Sequence, residues 1–184
     1  SPNDVVIKSD GSVWFTDPTY GIDSDYEGDR AESEIGASYV YRYTSEGDLE
    51  VMVRDMVCPN GLAFSPDEQI LYVADTGISH VGMKCPPDIR AYSVASDGRG
   101  LNAYTTFATC TQGVFDGFRA DWNGNIWTSA GDGVHCYSSS GDLLGKIRIP
   151  EVVANVEFGG LKRNRLYICG TTSLYSMYLN TRAA

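Results

Sequence analysis

Four polar residues recur at corresponding places just before apolar strands, and their side chains carry oxygens that suit a hard cation. Each lies 11 or 12 residues before an aromatic residue of a later strand, and the four are Asn3, Asn60, Asp116 and Asn155. Asn and Asp are common in turns, so one such residue would mean little. Amide and carboxylate oxygens without thiolates or paired histidines suit Ca²⁺ best, with Mg²⁺ and Mn²⁺ as alternatives. The recurrence therefore predicts a cation site if the fold gathers these side chains.

The elements that must position them are short β-hairpins. In four segments a tight polar turn leads directly into an aromatic strand, which is typical of the second arm of a hairpin; the segments are residues 10–16, 67–73, 123–128 and 163–168. Their aromatic residues, Trp14, Tyr72, Trp127 and Tyr167, are 58, 55 and 40 residues apart. That spacing fits β-propeller blades with insertions of variable length and no helical solenoid.

The predicted fold class is all-β, a β-propeller. Gly or Pro interrupts most windows of helical length, so no long helix is expected. Third strands are predicted at residues 39–43, 88–94, 134–138 and 174–179. If the innermost strand of each blade begins at its Asn or Asp, the four residues converge at one end of the central channel. Acids that end the second strands should rim the same pocket, namely Asp17, Asp75 and Asp132.

The composition limits the classes of partner that the chain is expected to bind. The chain has 184 residues and a formal charge of −10, with 24 acidic against 14 basic residues. It has no basic stripe, which argues against nucleic acid and anionic membranes as partners, and no apolar run near the roughly 20 residues of a membrane span. Residues 1–184 are expected to form one domain. The chain begins without a signal-peptide pattern or an initiator Met, so its targeting cannot be read.

The cysteines and histidines predict little chemistry. Five cysteines without a C-x-x-C pair favour free thiols in a reducing compartment, which slightly favours the cytoplasm, although a single disulfide stays open. Ser79 and His80 adjoin, but no G-x-S-x-G motif surrounds them, so a Ser-His-Asp hydrolase is not expected. Both histidines, His80 and His135, are expected to be surface or packing residues.

An acidic stretch over residues 23–34 imitates the ligand spacing of an EF-hand loop. Pro18 and Gly21 precede it and a Tyr/Val strand follows, so the flanking helices of an EF-hand are missing. We therefore expect a mobile acidic loop or lid over the pocket in preference to a separate calcium site.

The chain resembles the gluconolactonase and senescence-marker-protein-like family of six-bladed propellers. The resemblance lies in SPNDVV at residues 1–6, WFTDPTYG at 14–21, PNGLAFSPD at 59–67, DGFRAD at 116–121, GDGVH at 131–135 and FGG at 158–160. It covers almost the whole chain. About four blades of six are present, so N-terminal blades are expected to be lacking, through truncation, another chain or closure by oligomerisation as a homo-oligomer.

The resemblance implies metal-dependent hydrolysis of a small-molecule lactone. Asn60 and Asp116 would be direct metal ligands and Asn3 a ligand or substrate-orienting amide, with Ca²⁺ favoured and Zn²⁺, Mn²⁺ or Mg²⁺ as alternatives. Asp17 matches an acidic pocket residue of lactonases and would activate water, with Asp116 as the alternative base. Tyr20 would contact substrate. The family's further metal-binding glutamate would precede Ser1.

A second function stays open from sequence. Since a fold alone does not imply chemistry, the chain could also serve as a non-catalytic calcium-binding or protein-interaction propeller.

Overall fold

The computed structural model describes residues 1–184 as four antiparallel sheets. The first blade contains β1 (Val5–Ile7), β2 (Val13–Asp17), β3 (Tyr39–Tyr43) and β4 (Leu49–Val53). The second contains β5 (Pro59–Phe64), β6 (Ile70–Asp75), β7 (Asp88–Val94) and β8 (Leu101–Thr109). The third contains β9 (Phe118–Ala120), β10 (Ile126–Ala130), β11 (Gly133–Tyr137) and β12 (Leu143–Arg148). The fourth has three strands, β13 (Val153–Gly159), β14 (Arg165–Gly170) and β15 (Leu174–Tyr178).

Each sheet is a meander, because its strands pair in the order in which they occur along the chain. The first strands of successive blades adjoin, β1 beside β5, β5 beside β9 and β9 beside β13. The predicted all-β propeller of four blades is confirmed. Helical structure is limited to α1 (Tyr20–Asp23), α2 (Ile78–Val81) and a 3-10 turn at Gly82–Lys84. No helix has the length and apolar character that crossing a membrane requires.

Apolar layers between neighbouring blades hold the blades together. Trp14 and Val40 pack on Leu62 and Leu71 between the first two blades. Separate buried clusters fill the second gap, around Tyr72, Phe118 and Ile126, and the third gap, around Val134, Val156 and Leu166. Because one face of each sheet packs against the next, the inner strands are held at fixed positions around the channel.

Sequence patterns located the third strand of each blade better than the fourth. The third strands agree with their predicted ranges to within one residue at each end, at β3, β7, β11 and β15. The outer strands β4, β8 and β12 were missed, because much of each is exposed and their sequences lack a clear alternation. All five cysteines are free, as predicted.

Candidate functional site

A bulge in β5 sets the direction of the Asn60 side chain. Pro59 pairs with Asp75 and the next pair is Leu62 with Val73, so Asn60 stands outside the regular ladder. A similar register shift lies between Val153 and Asn155 in β13. Bulges bend a strand and re-aim its side chains, which is why they occur beside functional sites.

Two glycines bring the polar residues of successive blades together. A Cβ on Gly61 would collide with the backbone carbonyl of Asp116, and a Cβ on Gly117 would collide with the side-chain amide of Asn155. Only glycine allows so close an approach. The structure therefore places Asn60, Asp116 and Asn155 along one continuous arc at the end of the channel.

Asn3 occupies the corresponding place in the first blade but is exposed. Its backbone nitrogen donates to the Thr16 carbonyl at 2.9 Å, which anchors the start of β1. The next residue, Asp4, reaches the second blade instead, since its Oδ2 accepts from the Leu62 nitrogen at 3.4 Å. Sequence reasoning did not single out Asp4.

Asp116 is partly buried close to two other acidic side chains, Asp4 and Glu27. Burial, together with the negative charges of Asp4 and Glu27, raises the pKa of this half-buried carboxyl to about 6, although a hydrogen bond with the Asn60 amide opposes the shift. Asn60 itself is only 5% exposed, and its Oδ1 has no hydrogen-bond partner. A buried acceptor without a donor is costly, and it lies beside a carboxylate that lacks a positive neighbour. These residues fit a bound cation.

Arg119 on β9 contacts acids of two other blades, and sequence reasoning missed it. Its Nε donates to Glu157 Oε2 at 2.7 Å, and its Nη1 lies 3.4 Å from Asp4 Oδ2. The guanidinium thus joins inner-strand residues of the first, third and fourth blades. The signal in the sequence that could have found Arg119 was a charged residue in an otherwise apolar inner strand. Arg119 and Glu157 each stand next to a buried Phe.

The three acids at the ends of second strands do not share one role. Asp75 is 1% exposed and accepts from the backbone nitrogens of Val57, Cys58 and Gly77 and from Arg90. Donors from four directions satisfy this carboxylate, so it supports the blade.

Asp132 is also engaged within its own blade. Its Oδ1 lies 2.6 Å from His135 Nε2, and its Oδ2 accepts from Lys146 Nζ at 3.0 Å. His135 is fully buried, in keeping with the expected packing role.

Asp17 is buried, and its Oδ1 lies 2.7 Å from the Ser1 nitrogen. It lines a cavity of about 330 Å³ under the acidic segment, together with Thr19, Ile22 and Glu32 among others. Asn60 and Asp116 do not line that cavity.

Tyr20 is half-buried, and its hydroxyl lies 2.7 Å from Thr76 Oγ1 and 3.2 Å from Ser79 Oγ. It therefore links the first blade to the second.

The acidic segment is not arranged as an EF-hand. Asp23 ends the four-residue α1 and binds His80, and Asp25 accepts from the backbone nitrogen of Arg30. No group of three or more His, Cys, Asp or Glu side chains converges anywhere in the chain as a metal site. A cation at the arc would thus depend on amide oxygens beside the Asp116 carboxylate.

The fold and the arc define a class: a sector of a β-propeller whose inner strands present Asn and Asp at one end of the channel. The sequence-family model described as the SMP-30/Gluconolactonase/LRE-like region matches residues 1–172 of this chain. The chain therefore belongs to this family.

Individual relatives agree with that assignment. The gluconolactonase of Zymomonas mobilis subsp. mobilis is 34% identical over 156 residues, which are 80% of this chain and 41% of the relative. A gluconolactonase structure from Xanthomonas campestris is 37% identical with a TM-score of 0.87, covering 97% of this chain and 56% of that one. A structural-genomics crystal structure from the same family is 41% identical with a TM-score of 0.90, covering 100% and 60%.

The chain spans 41% of the length of the Zymomonas gluconolactonase and 42% of that of a lactonohydrolase from Aspergillus oryzae. The structural match at 41% identity covers the whole of this chain and therefore all four blades.

Proposed function

We propose that the protein hydrolyses small lactones with the help of a divalent cation, most suitably Ca²⁺, held at the arc. The names of its relatives support the reaction class, since they include a gluconolactonase and two lactonohydrolases. The observation that carries the cation part is the unpaired, buried Asn60 Oδ1 beside the crowded Asp116 carboxylate. A hard cation would satisfy both oxygens at once.

Asn60 and Asp116 would hold the ion, Asn155 stands next along the arc, and Asn3 is exposed at the corresponding place in the first blade. When bound, such an ion polarises a carbonyl and stabilises the negative charge that develops on its oxygen. Neutral amides suit that task because they leave the ion more of its positive charge than carboxylates would. Burial first, and then the charges of Asp4 and Glu27, raise the pKa of Asp116, and a bound cation would stabilise its ionised form.

Asp17 would act as the general base. Its carboxylate would accept a proton from water as the water oxygen attacks the lactone carbonyl, and the ring C–O bond would then break to leave a hydroxy acid. It lines a cavity that Asn60 and Asp116 do not line, so this role requires a lactone that reaches from that cavity to the arc.

The two acids are separable by experiment. Lactone hydrolysis would be followed in a pH-stat with added Ca²⁺, Mn²⁺ or Zn²⁺ and with EDTA, and Ca²⁺ affinity by calorimetry. We expect Asp116→Asn to weaken Ca²⁺ binding and activity together, and Asp17→Asn to lower kcat about 100-fold with unchanged affinity. Asp97→Asn, in the exposed turn between β7 and β8, is the matched control.

Hydrolysis that neither EDTA nor Asp116→Asn alters would contradict the proposal. Ca²⁺ binding that requires Asp116, with no hydrolysis of any lactone in a panel of five- and six-membered rings, would instead favour the non-catalytic calcium-binding alternative.

A further inference from the structure

A buried threonine next to Asn60 has only one way to form its hydrogen bonds. Thr76 follows the end of β6 and is 1% exposed. Its Oγ1 donates to the Cys58 carbonyl at 3.0 Å. The single hydroxyl hydrogen is thereby used, so the remaining lone pairs of Oγ1 can only accept.

Two donors face those lone pairs. Asn60 Nδ2 lies 3.5 Å from Thr76 Oγ1, and the Tyr20 hydroxyl lies 2.7 Å from it. Because Thr76 cannot donate to Asn60, the NH2 side of the amide must face the threonine. The amide oxygen is then directed away from Thr76, and this is the oxygen that has no partner within the protein.

The tyrosine is suited to hold this arrangement. Burial raises the pKa of Tyr20 to about 12, so its hydroxyl keeps the proton that it donates to Thr76. The other side of the hydroxyl faces Ser79 Oγ at 3.2 Å. The hydroxyl proton is used by Thr76, and the substrate contact expected of Tyr20 stays a prediction.

Beyond Tyr20, the hydrogen bonds continue to the acidic segment. Ser79 Oγ lies 2.9 Å from His80 Nδ1, and His80 Nε2 lies 2.9 Å from Asp23 Oδ2. The Tyr20 ring also packs edge-on against the imidazole, with centroids 5.5 Å apart. A Ser-His-Asp sequence of contacts is therefore present, although Ser79 also donates to the Thr76 carbonyl at 2.9 Å. That bond commits the hydroxyl to the protein backbone, so the contacts fit a structural link.

We propose that Thr76 and Tyr20 are positioning residues that turn the Asn60 oxygen toward the cation, and that Ser79, His80 and Asp23 tie this orientation to the docking of the acidic segment. Only the cation in this inference is taken from the proposed function. The orientation of the amide is a property of the chain's own residues. Partners that orient a metal ligand typically change affinity 10- to 100-fold when removed.

The test uses NMR of the Asn60 side-chain amide in cation-free protein, with the signal assigned by its loss in Asn60→Asp. We expect Thr76→Val, which removes the acceptor at almost unchanged volume, to shift this signal and to speed exchange of its protons with water. Thr76→Ser keeps the hydroxyl and should restore the wild-type signal. Tyr20→Phe should give a smaller shift, and Tyr26→Phe, an exposed tyrosine on the same segment, should give none.

Calorimetry of the same proteins supplies the second measurement. Thr76→Val should weaken Ca²⁺ binding about 10-fold while Thr76→Ser stays within twofold of wild type. Hydrogen exchange over residues 18–37 should speed up in His80→Gln and in Tyr20→Phe, because each variant interrupts the link to the second blade. Circular dichroism and thermal melting identify any variant that fails to fold, in which case Thr76→Ala replaces Thr76→Val.

An unchanged Asn60 amide signal in Thr76→Val would overturn the inference, and so would equal effects of the Val and Ser variants. If the amide responds as expected but wild type binds no cation, the orientation by Thr76 is supported and the proposed cation-dependent function fails.

Discussion

Two aspartates at opposite ends of the same short strand have contrasting surroundings. Asp121, just after β9, is fully buried and accepts from five donors between 2.9 and 3.0 Å away, which belong to Asn123, Asn125, Trp127 and Thr181. Asp116, just before β9, is half-buried between the negative charges of Asp4 and Glu27.

The difference separates an acid whose charge the fold satisfies from one that it leaves available for the proposed cation. Donors converge on Asp121, so its charge is part of how the third and fourth blades are joined. Burial and the charges of Asp4 and Glu27 disfavour ionisation of Asp116 in the folded chain, which makes it the candidate for the proposed cation site. Asp116 and Asp121 are each followed by a turn or a strand, so the local sequence does not distinguish their surroundings.

The largest expected effect is on stability and comes from Asp121. Asp121→Ala leaves the indole of Trp127 and two backbone nitrogens without an acceptor, and should lower the free energy of unfolding by at least about 3 kcal/mol. Asp116→Ala should cost less than about 1 kcal/mol, because it also removes repulsion from Asp4. Urea denaturation of both variants without cation gives the values. Equal losses would remove the distinction between the two acids.

A second expectation concerns the glycine that fits against Asp116. Gly61→Ala forces a Cβ into the Asp116 carbonyl and should cost about 1 to 3 kcal/mol, with a shift of the arc. Gly145→Ala on β12 has no atom within 4 Å of the new Cβ and should stay within about 0.5 kcal/mol of wild type. Thermal unfolding compares the two. A neutral Gly61→Ala would mean that the two inner strands are not in close contact.

The smallest expected effect is a pH dependence. The folded-state pKa of Asp116, about 6, exceeds its ordinary value of 3.8, so folding favours the protonated carboxyl. Its contribution to stability is complete below pH 3.8 and is lost as the pH rises through 6. Relative to Asp116→Asn, the wild type should therefore lose on the order of 1 to 2 kcal/mol between pH 4 and pH 7 in EDTA. Parallel stability curves for the two proteins would show that the carboxyl is not crowded by charge.

Sequence patterns predicted the arrangement of the polar side chains on which the proposed function depends. The recurrence of Asn or Asp at a constant distance from an aromatic strand predicted the blades, and three of the four residues do form one arc. Asn3 differs because its blade presents Asp4 to the neighbouring strand. That contact joins residues 58 positions apart, and no local signal encodes it.

The roles of individual acids needed the tertiary structure. Asp75 and Asp132 have the same strand-end positions as Asp17, yet Arg90 and Lys146 bind them. Those cations come from the third strand of one blade and the outer strand of another, so their pairing depends on strand register.

The sequence by itself determined the repeating hairpins, the all-β propeller and the recurrence of oxygen-bearing side chains in each blade, because strand period, turn residues and aromatic anchors act over a few residues. Only the tertiary structure decided which of those oxygens is unpaired. That depends on which groups the fold brings to each side chain, and the groups that face the Asn60 amide are Thr76 of the same blade and Asp116 of the next.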